Sequence, residues 1–450
     1  MIRCTNILLA GTVWAAVVAG PASGMAATFF VAPNGQDENA GTSEAPFASL
    51  AHAQRQAAPG DTVYLRSGTY TFSSAHIDRR KYGRALVILL NKSGEPGRRI
   101  RYAAYPGERP VFDFSAVRPP NLRVYAFAVT GSWIHLQGIE VVGVQVTVKE
   151  HTQSICFAND GSHNVFESLS MHDGQAIGLY SARGGDNLFL NCDAYRNHDY
   201  TSDGGKGGNT DGFGCHPHRG DTGNVFRGCR AWLNSDDGFD CISAHEAVTF
   251  EQCWSFYNGY SPQFEGLGDG HGFKAGGYGA SPQDKFPATI PRHVVRGCLA
   301  ARNRSSGFYA NHHPGGGDWL FNSSYRNPIG FHLLCRTPDA AHDTAGFDHR
   351  LHNNLSYADG RAAAAYDAAR CELAHNAFAL DRRVHAKEFI SLDEALLTAP
   401  RPADGGLPAL TFLRPLATSS LQERGYTYFA APDSANAQDD SLAPARPPDP

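Results

Sequence analysis

Short apolar runs separated by turn residues set the pattern of this chain. Thr28-Phe29-Phe30-Val31 passes into Ala32-Pro33-Asn34-Gly35, which predicts a strand ending in a turn. Residues 46–53 carry apolar side chains at roughly helical spacing and predict a short helix. Pro59-Gly60-Asp61 then turns into Thr62-Val63-Tyr64-Leu65, a predicted strand closed by Ser67-Gly68-Thr69-Tyr70. Further strands are expected over 99–105, 125–129 and 133–141. A helix ahead of stacked coils would cover strand edges that are otherwise unpaired.

From about residue 164 the pattern repeats. Four five-residue runs end in cysteine: Leu188-Phe189-Leu190-Asn191-Cys192, Val225-Phe226-Arg227-Gly228-Cys229, Thr249-Phe250-Glu251-Gln252-Cys253 and Val294-Val295-Arg296-Gly297-Cys298. Five residues after each cysteine stands an asparagine: Asn197, Asn234, Asn258 and Asn303. A degenerate copy places Asn322 in the cysteine column and Asn327 five later. Gly-Phe pairs follow at Gly212, Gly238, Gly272, Gly307 and Gly330, with inserted segments displacing the first and third. Without insertions the period is 24 residues, from Cys229 to Cys253 and from Cys298 to Asn322. A unit that short cannot bury its apolar face alone, whereas stacked copies share one continuous core. The cysteines are read as an inward column of small apolar groups and the asparagines as a turn ladder bonding successive coils. The fold predicted is all-β, a single right-handed parallel β-helix over residues 27–425 with an N-terminal capping helix. The repeat fades near Tyr366, and residues 389–424 read as an irregular wrap. A β-propeller fits less well, because its blades need about 40 residues or more.

Composition adds little to the fold and more to the setting. Residues are 42% hydrophobic and 18% charged, and the net charge of −5 is too mild to indicate a nucleic-acid partner. Residues 1–26 read as an export signal, with Arg3 before a short apolar run and Gly24 and Ala26 at a small-residue cleavage site. No other stretch is apolar enough to span a membrane. A secreted or periplasmic, monomeric, soluble protein is expected. Residues 426–450 are mostly Ala, Pro, Asp and Ser and read as a disordered tail. Removing Cys4 with the signal leaves nine cysteines, an odd number with no zinc-site spacing.

Stacking gathers the charged residues. Aligned on Gly-Phe, the residue before Gly is Asp211, Asp237, His271, Ser306 and Ile329. The residue after Phe is Gly214, Asp240, Lys274, Tyr309 and His332. Strand alternation sends Phe213, Phe239, Phe273 and Phe308 inward and puts Gly238 with Asp240 outside. With coils about 4.8 Å apart, Asp211, Asp236, Asp237 and Asp240 crowd one patch. Such a cluster calls for protonation or a cation, and a hard, oxygen-liganded ion such as Ca²⁺ suits it. The plainer reading of Asp236 and Asp237 is as turn residues. Lys274 stands one coil further on in a chain with seven lysines and thirty-two arginines. It is read as a base beside a bound cation, or as an ion-pair partner of Asp240. Lys206 is a weaker candidate base.

These groups suit β-elimination on a 4-linked uronate, in which a proton α to a carboxylate is removed and the O4 group departs. The chain resembles polysaccharide lyase family 9, the Ca²⁺-dependent pectate lyases. The resemblance rests on Asn209-Thr210-Asp211-Gly212-Phe213, Asp236-Asp237-Gly238-Phe239-Asp240 and Gly272-Phe273-Lys274. Phe30-Val31-Ala32-Pro33-Asn34-Gly35, Pro59-Gly60-Asp61-Thr62-Val63-Tyr64-Leu65 and Phe389-Ile390-Ser391-Leu392-Asp393 match as well. It implies Ca²⁺ held by Asp211, Asp236, Asp237 and Asp240, Lys274 as the base, and pectate or another anionic uronate polysaccharide as substrate. Asn209-Thr210-Asp211, Asp236-Asp237 and Gly270-His271-Gly272 also match β-helical polygalacturonases of glycoside hydrolase family 28, where aspartates act as acid and base. That mechanism lacks a role for Asp240 and Lys274, and its downstream Arg-x-Lys is missing. A non-catalytic carbohydrate-binding β-helix would need neither the cluster nor the lysine. Arg302, Arg304 and His312 are candidates for holding substrate carboxylates.

Overall fold

The computed structural model describes residues 26–425, except positions 280, 282, 340 and 423. The export signal read over 1–26 lies, but for Ala26, outside the described residues, as does the tail read over 426–450.

The chain winds through three long sheets of twelve, ten and eleven strands. Each strand bonds to its counterpart in the neighbouring coil, and among the described residues the pairing is parallel with two exceptions. These are the hairpin Arg79–Lys81 against Arg84–Leu90 and the short pair Cys335–Arg336 against Asp343–Thr344. The result is the parallel β-helix that the repeat predicts, its crossovers right-handed as twisted parallel strands require. Its α-helix, Leu50–Gln56, starts later than the apolar spacing suggests. Ser49 is its N-cap, with Oγ accepting the His52 N–H at 3.1 Å. Leu50 and Ala53 are buried, and Gln54 Nε2 donates to Leu89 O at 2.9 Å, tying the helix to the first coils. Two strand expectations shift. Gly68–Ser73 is a strand rather than a closing turn, and the run over 133–141 is two strands, Ile134–Gln137 and Glu140–Val142.

The interior is built from ladders. Phe213, Phe239, Phe273, Phe308 and Phe331 stack face to face at 4.8–5.2 Å between centroids. Cys192, Cys229, Cys253 and Cys298 are fully buried, and the nine cysteines from Cys156 to Cys371 are free thiols. The asparagine amides bond coil to coil. Asn197 donates to Asn234, Asn234 to Asn258, Asn258 to Asn303 and Asn303 to Asn327, each at 3.1–3.2 Å. A parallel ladder carries the repeat past Tyr366. Asn354 donates to Asn376 at 2.9 Å, and Glu372–Ala374 is the last strand of the first sheet. The sequence repeat lost this coil because its spacing is irregular, not because stacking stops.

Residues after 385 fold back over the outer face of the second sheet. Phe389, Leu397, Leu410, Phe412 and Leu421 pack there on Trp254, Phe256, Leu299 and Tyr325, forming a second core. A buried ion triad secures this wrap. Asp193 accepts from Arg230 and from Arg401, each at 2.7 Å. Burial pushes the Asp193 carboxyl up, but the two guanidinium groups outweigh it and hold the group below its ordinary range. The wrap packs on the second sheet, and the charged residues lie on the outer face of the third.

Candidate active site

Three successive strands of the third sheet position the cluster: Phe213–Cys215, Phe239–Asp240 and Phe273–Lys274, followed by Ser306–Tyr309. Their register pairs Gly214 with Asp240, Asp240 with Lys274, Lys274 with Tyr309 and Tyr309 with His332. This is the column that the Gly-Phe alignment predicts.

Gly238 does not share the outer face with Asp240. A Cβ built on Gly238 would run into Ser255 Oγ and lie 2.9 Å from Asn258 Nδ2, both interior. The chain turns a corner there, so Gly238 and Phe239 both face inward while Asp237 and Asp240 both face outward. Simple alternation fails because the strand begins only at Phe239. The corner accounts for the glycine, and it brings two carboxylates three residues apart onto one face.

Asp211, Asp237 and Asp240 each present one carboxylate oxygen, all within 4.8 Å of one another. Backbone N–H groups hold them. Asp211 Oδ1 accepts from Asp237 N at 3.2 Å, Asp237 Oδ1 from His271 N at 2.6 Å, and Asp240 Oδ1 from Ile242 N at 2.7 Å. Asp236 lies outside this group of three, its Oδ1 accepting from Asp269 N at 2.8 Å. Its charge still reaches the cluster. Burial first, and then the charges of Asp236, Asp240 and Asp237, push the Asp211 carboxyl well above its ordinary range. Burial and Asp237 do the same to Asp236.

Lys274 Nζ stands 3.0 Å from Asp237 Oδ2 and 3.2 Å from Asp240 Oδ2. The ion pair read as the alternative role of Lys274 is thus present, and it includes Asp237. Burial pulls the amine down, yet the four aspartates outweigh it and hold it well above the ordinary lysine range. Asp237 Oδ2 is fully buried and makes no hydrogen bond, so its contact with Lys274 is charge against charge off the bonding direction.

The neighbouring residues sort into supports and bystanders. The His271 ring stacks on Tyr309 at 4.0 Å between centroids, and burial holds it below the ordinary histidine range. Its backbone N–H, not its ring, holds Asp237. Of the carboxylate-holding candidates, Arg302 pairs with Glu394 of the wrap at 2.9 Å, and Arg304 donates to Gly268 O at 2.5 Å. Both have structural partners. His312 lies on the site's side, its Nε2 3.1 Å from Asp343 Oδ1 and its Nδ1 3.5 Å from Tyr309 Oη. Lys206 is exposed on the inserted segment.

Two residues escaped the sequence reading. Tyr180 pairs in register with Gly214, and its ring stacks on His216 at 4.6 Å. His216 Nε2 is buried without a hydrogen bond, and His216 Nδ1 lies 2.6 Å from Ile242 O. A Cβ at Gly214 would lie 2.7 Å from the Tyr180 ring and 3.0 Å from His216 Nε2, so only glycine leaves room for that stack beside Asp240. Gly178-Leu179-Tyr180 occupies the Gly-Phe position one coil earlier, and that substitution hid it.

An acidic cluster and a lysine on an open sheet of a parallel β-helix define a class of carbohydrate-active proteins. The model of the Pel9A-like right-handed β-helix region matches residues 29–354. The chain belongs to that family, polysaccharide lyase family 9, and is a polysaccharide lyase. It is 34% identical over 406 residues to pectate lyase L of Dickeya chrysanthemi, covering 88% of this chain and 85% of that protein. It is 29% identical over 435 residues to pectate lyase PEL9 of Emericella nidulans, covering 91% and 97%. Among solved structures, a rhamnogalacturonan lyase superposes with a TM-score of 0.85 at 42% identity, covering 89% of this chain and 99% of that one. Pectate lyase Pel9A superposes with a TM-score of 0.70 at 32% identity, covering 88% and 91%.

Proposed function

We propose that this lyase cleaves 4-linked galacturonate by Ca²⁺-dependent β-elimination, with Lys274 as the base. The observation that carries the reading is the placement of Lys274 Nζ against the same carboxylates that form the acidic cluster. Three hard oxygen donors within 4.8 Å, one of them buried without a hydrogen bond, fit a Ca²⁺ ion. Asp211, Asp237 and Asp240 would hold it, with Asp236 in support. Bound there, Ca²⁺ neutralises a substrate carboxylate and stabilises the charge that develops next to it.

The chain's own groups do the rest. While Asp237 and Asp240 face Lys274, its amine keeps its proton. Once those carboxylates are engaged elsewhere, burial favours the neutral amine. Lys274 Nζ then takes the C5 proton. The C5–H electrons form the C4–C5 double bond, the C4–O4 bond breaks, and the leaving oxygen is protonated from solvent. His271 N–H keeps Asp237 in place, and the His271–Tyr309 stack walls the site on one side.

The hydrolase alternative fits less well. Glycosidases of this kind work through a pair of carboxyl groups as acid and base or nucleophile, whereas here an amine sits among the carboxylates with no part to play in that mechanism.

Two polymers carry the required unit. Pectate follows from the named relatives. Rhamnogalacturonan is favoured by one observation, the 42% identity to the solved rhamnogalacturonan lyase against 34% and 32% for the pectate lyases. The test offers polygalacturonate and rhamnogalacturonan side by side, with and without a chelator, and follows the ultraviolet absorbance of unsaturated product. Unsaturation that disappears with chelator is expected. New reducing ends without unsaturation would refute elimination. The first 26 residues are read as an export signal, placing this reaction outside the cytoplasm.

A further inference from the structure

The outer face of the third sheet changes character a few coils before the aspartates. The two outward columns that carry Asp211, Asp237 and Asp240 are continued N-terminally by apolar residues. One runs through Tyr125, Ile155 and Ile177, the other through Leu89, Ala128, Ala158 and Tyr180. Most of these join a cluster separate from the helix interior. It lies on the side that a solenoid normally gives to solvent.

A groove of about 250 Å³ opens at the far end of this strip. Its rim is the hairpin formed by Arg79–Lys81 and Arg84–Leu90, and Tyr82 at the hairpin tip is 82% exposed. Arg79, Lys81 and Arg84 line it against a single carboxylate, Asp160. Among the described residues none of these three cations is in an ion pair. Lys81 Nζ lies 4.8 Å over the Tyr82 ring and the Arg84 guanidinium 5.2 Å over Tyr125. Unpaired cations beside an exposed aromatic ring, over an apolar floor, match a sugar chain that carries carboxylates. The groove floor and the acidic cluster lie in the same outward columns of the third sheet. Ala128 and Leu89 stand four and five coils before Asp240 in the same column, about 19–24 Å away. Only a chain of several sugars bridges that distance.

We propose that this groove is a remote binding site for the acidic polysaccharide, with Arg79, Lys81 and Arg84 facing uronate carboxylates and Tyr82 stacking on a sugar ring. It rests on the reading of the substrate as a uronate polymer. The site anchors a long chain while a distant segment occupies the acidic cluster, so it adds affinity for polymers and none for short oligomers.

The test is calorimetric binding in Ca²⁺, using full-length Lys274→Ala protein so that nothing is cleaved. The probes are a galacturonate trimer, long polygalacturonate and rhamnogalacturonan. Tyr82→Ala combined with Arg84→Ala is expected to weaken polymer binding about tenfold and to leave the trimer unchanged. Lys81→Ala, an exposed hairpin-tip change that leaves the fold alone, should weaken the polymer in the same direction. Unchanged polymer affinity in both variants, or equal weakening of trimer and polymer, overturns the proposal. If Lys274→Ala protein binds neither polymer, the groove proposal falls as well. If it binds polymer in this length-dependent way but the wild type gives no unsaturated product, only the elimination reading falls.

Discussion

Lys274 Nζ is held 3.0 Å from Asp237 Oδ2 and 3.2 Å from Asp240 Oδ2, so the amine and a cation would draw on the same two carboxylates. Their positive charges oppose each other across the site. Replacing Lys274 with alanine should therefore do two things. Elimination should fall by about 10²–10⁴. Ca²⁺ should bind more tightly, about tenfold or on the order of 1.4 kcal/mol, because a competing charge is gone. Titration calorimetry and the absorbance assay read the two effects separately. Weaker Ca²⁺ binding would mean that Lys274 does not contend for the cluster.

Asp211 is costly without a cation. Burial and its acidic neighbours raise its carboxyl well above the ordinary range. The protonated form is the one that folding favours. Its stabilisation is complete below the unfolded value of about 3.9 and is lost as pH rises through the folded value. In chelator, Asp211→Asn should therefore gain on the wild type as pH climbs from about 4, reaching an advantage of about 2 °C in Tm. The same change should remove Ca²⁺-dependent activity. Thermal melts across pH check the first, and a flat difference would refute the electrostatic account.

The wrap hangs on Asp193. Its carboxylate is buried between Arg230 and Arg401, which hold it below its ordinary range against the opposing effect of burial. With a depressed folded value, the stabilisation is present above the unfolded value of about 3.9 and is lost as pH falls through the folded one. Asp193→Asn leaves two buried guanidinium groups without a counter-charge and should cost about 3–5 kcal/mol. Urea denaturation measures the loss, and proteolysis should cut beyond residue 385 before the coils open.

Gly214 is a spacer. Gly214→Ala puts a methyl group 2.7 Å from the Tyr180 ring, and overpacking of this kind costs about 1–3 kcal/mol. The expected outcome is a raised KM with a smaller change in kcat, since Tyr180 lies beside the cluster rather than in it. A variant with wild-type stability and KM would show that the stack adapts freely.

The register of the third sheet was legible because cysteine, asparagine and Gly-Phe recur at fixed offsets. Those offsets alone place Asp240 beside Lys274, as the strand register does. Three kinds of information were not legible. Corners break the two-residue alternation, so alternation alone assigns Gly238 to the outer face although it points inward. Substituted repeat positions hide their coil, as Leu179 hid Tyr180 and irregular spacing hid the coil that ends at Asn376. Linear nearness says nothing about which of three faces a side chain joins. Arg302 is close in sequence to Tyr309, yet it pairs with Glu394 on the wrap.

The asparagine ladder has a consequence for how such a molecule can change over time. Each amide reads only the coil next to it, from Asn197 through Asn327. No coil senses the total number stacked. The reacting groups come from three adjacent coils, so gaining or losing a whole turn elsewhere leaves their geometry intact, whereas one extra turn between Asp240 and Lys274 would move them a further ~4.8 Å apart. Length is a free variable for this architecture, and adjacency of three turns is the inherited constraint.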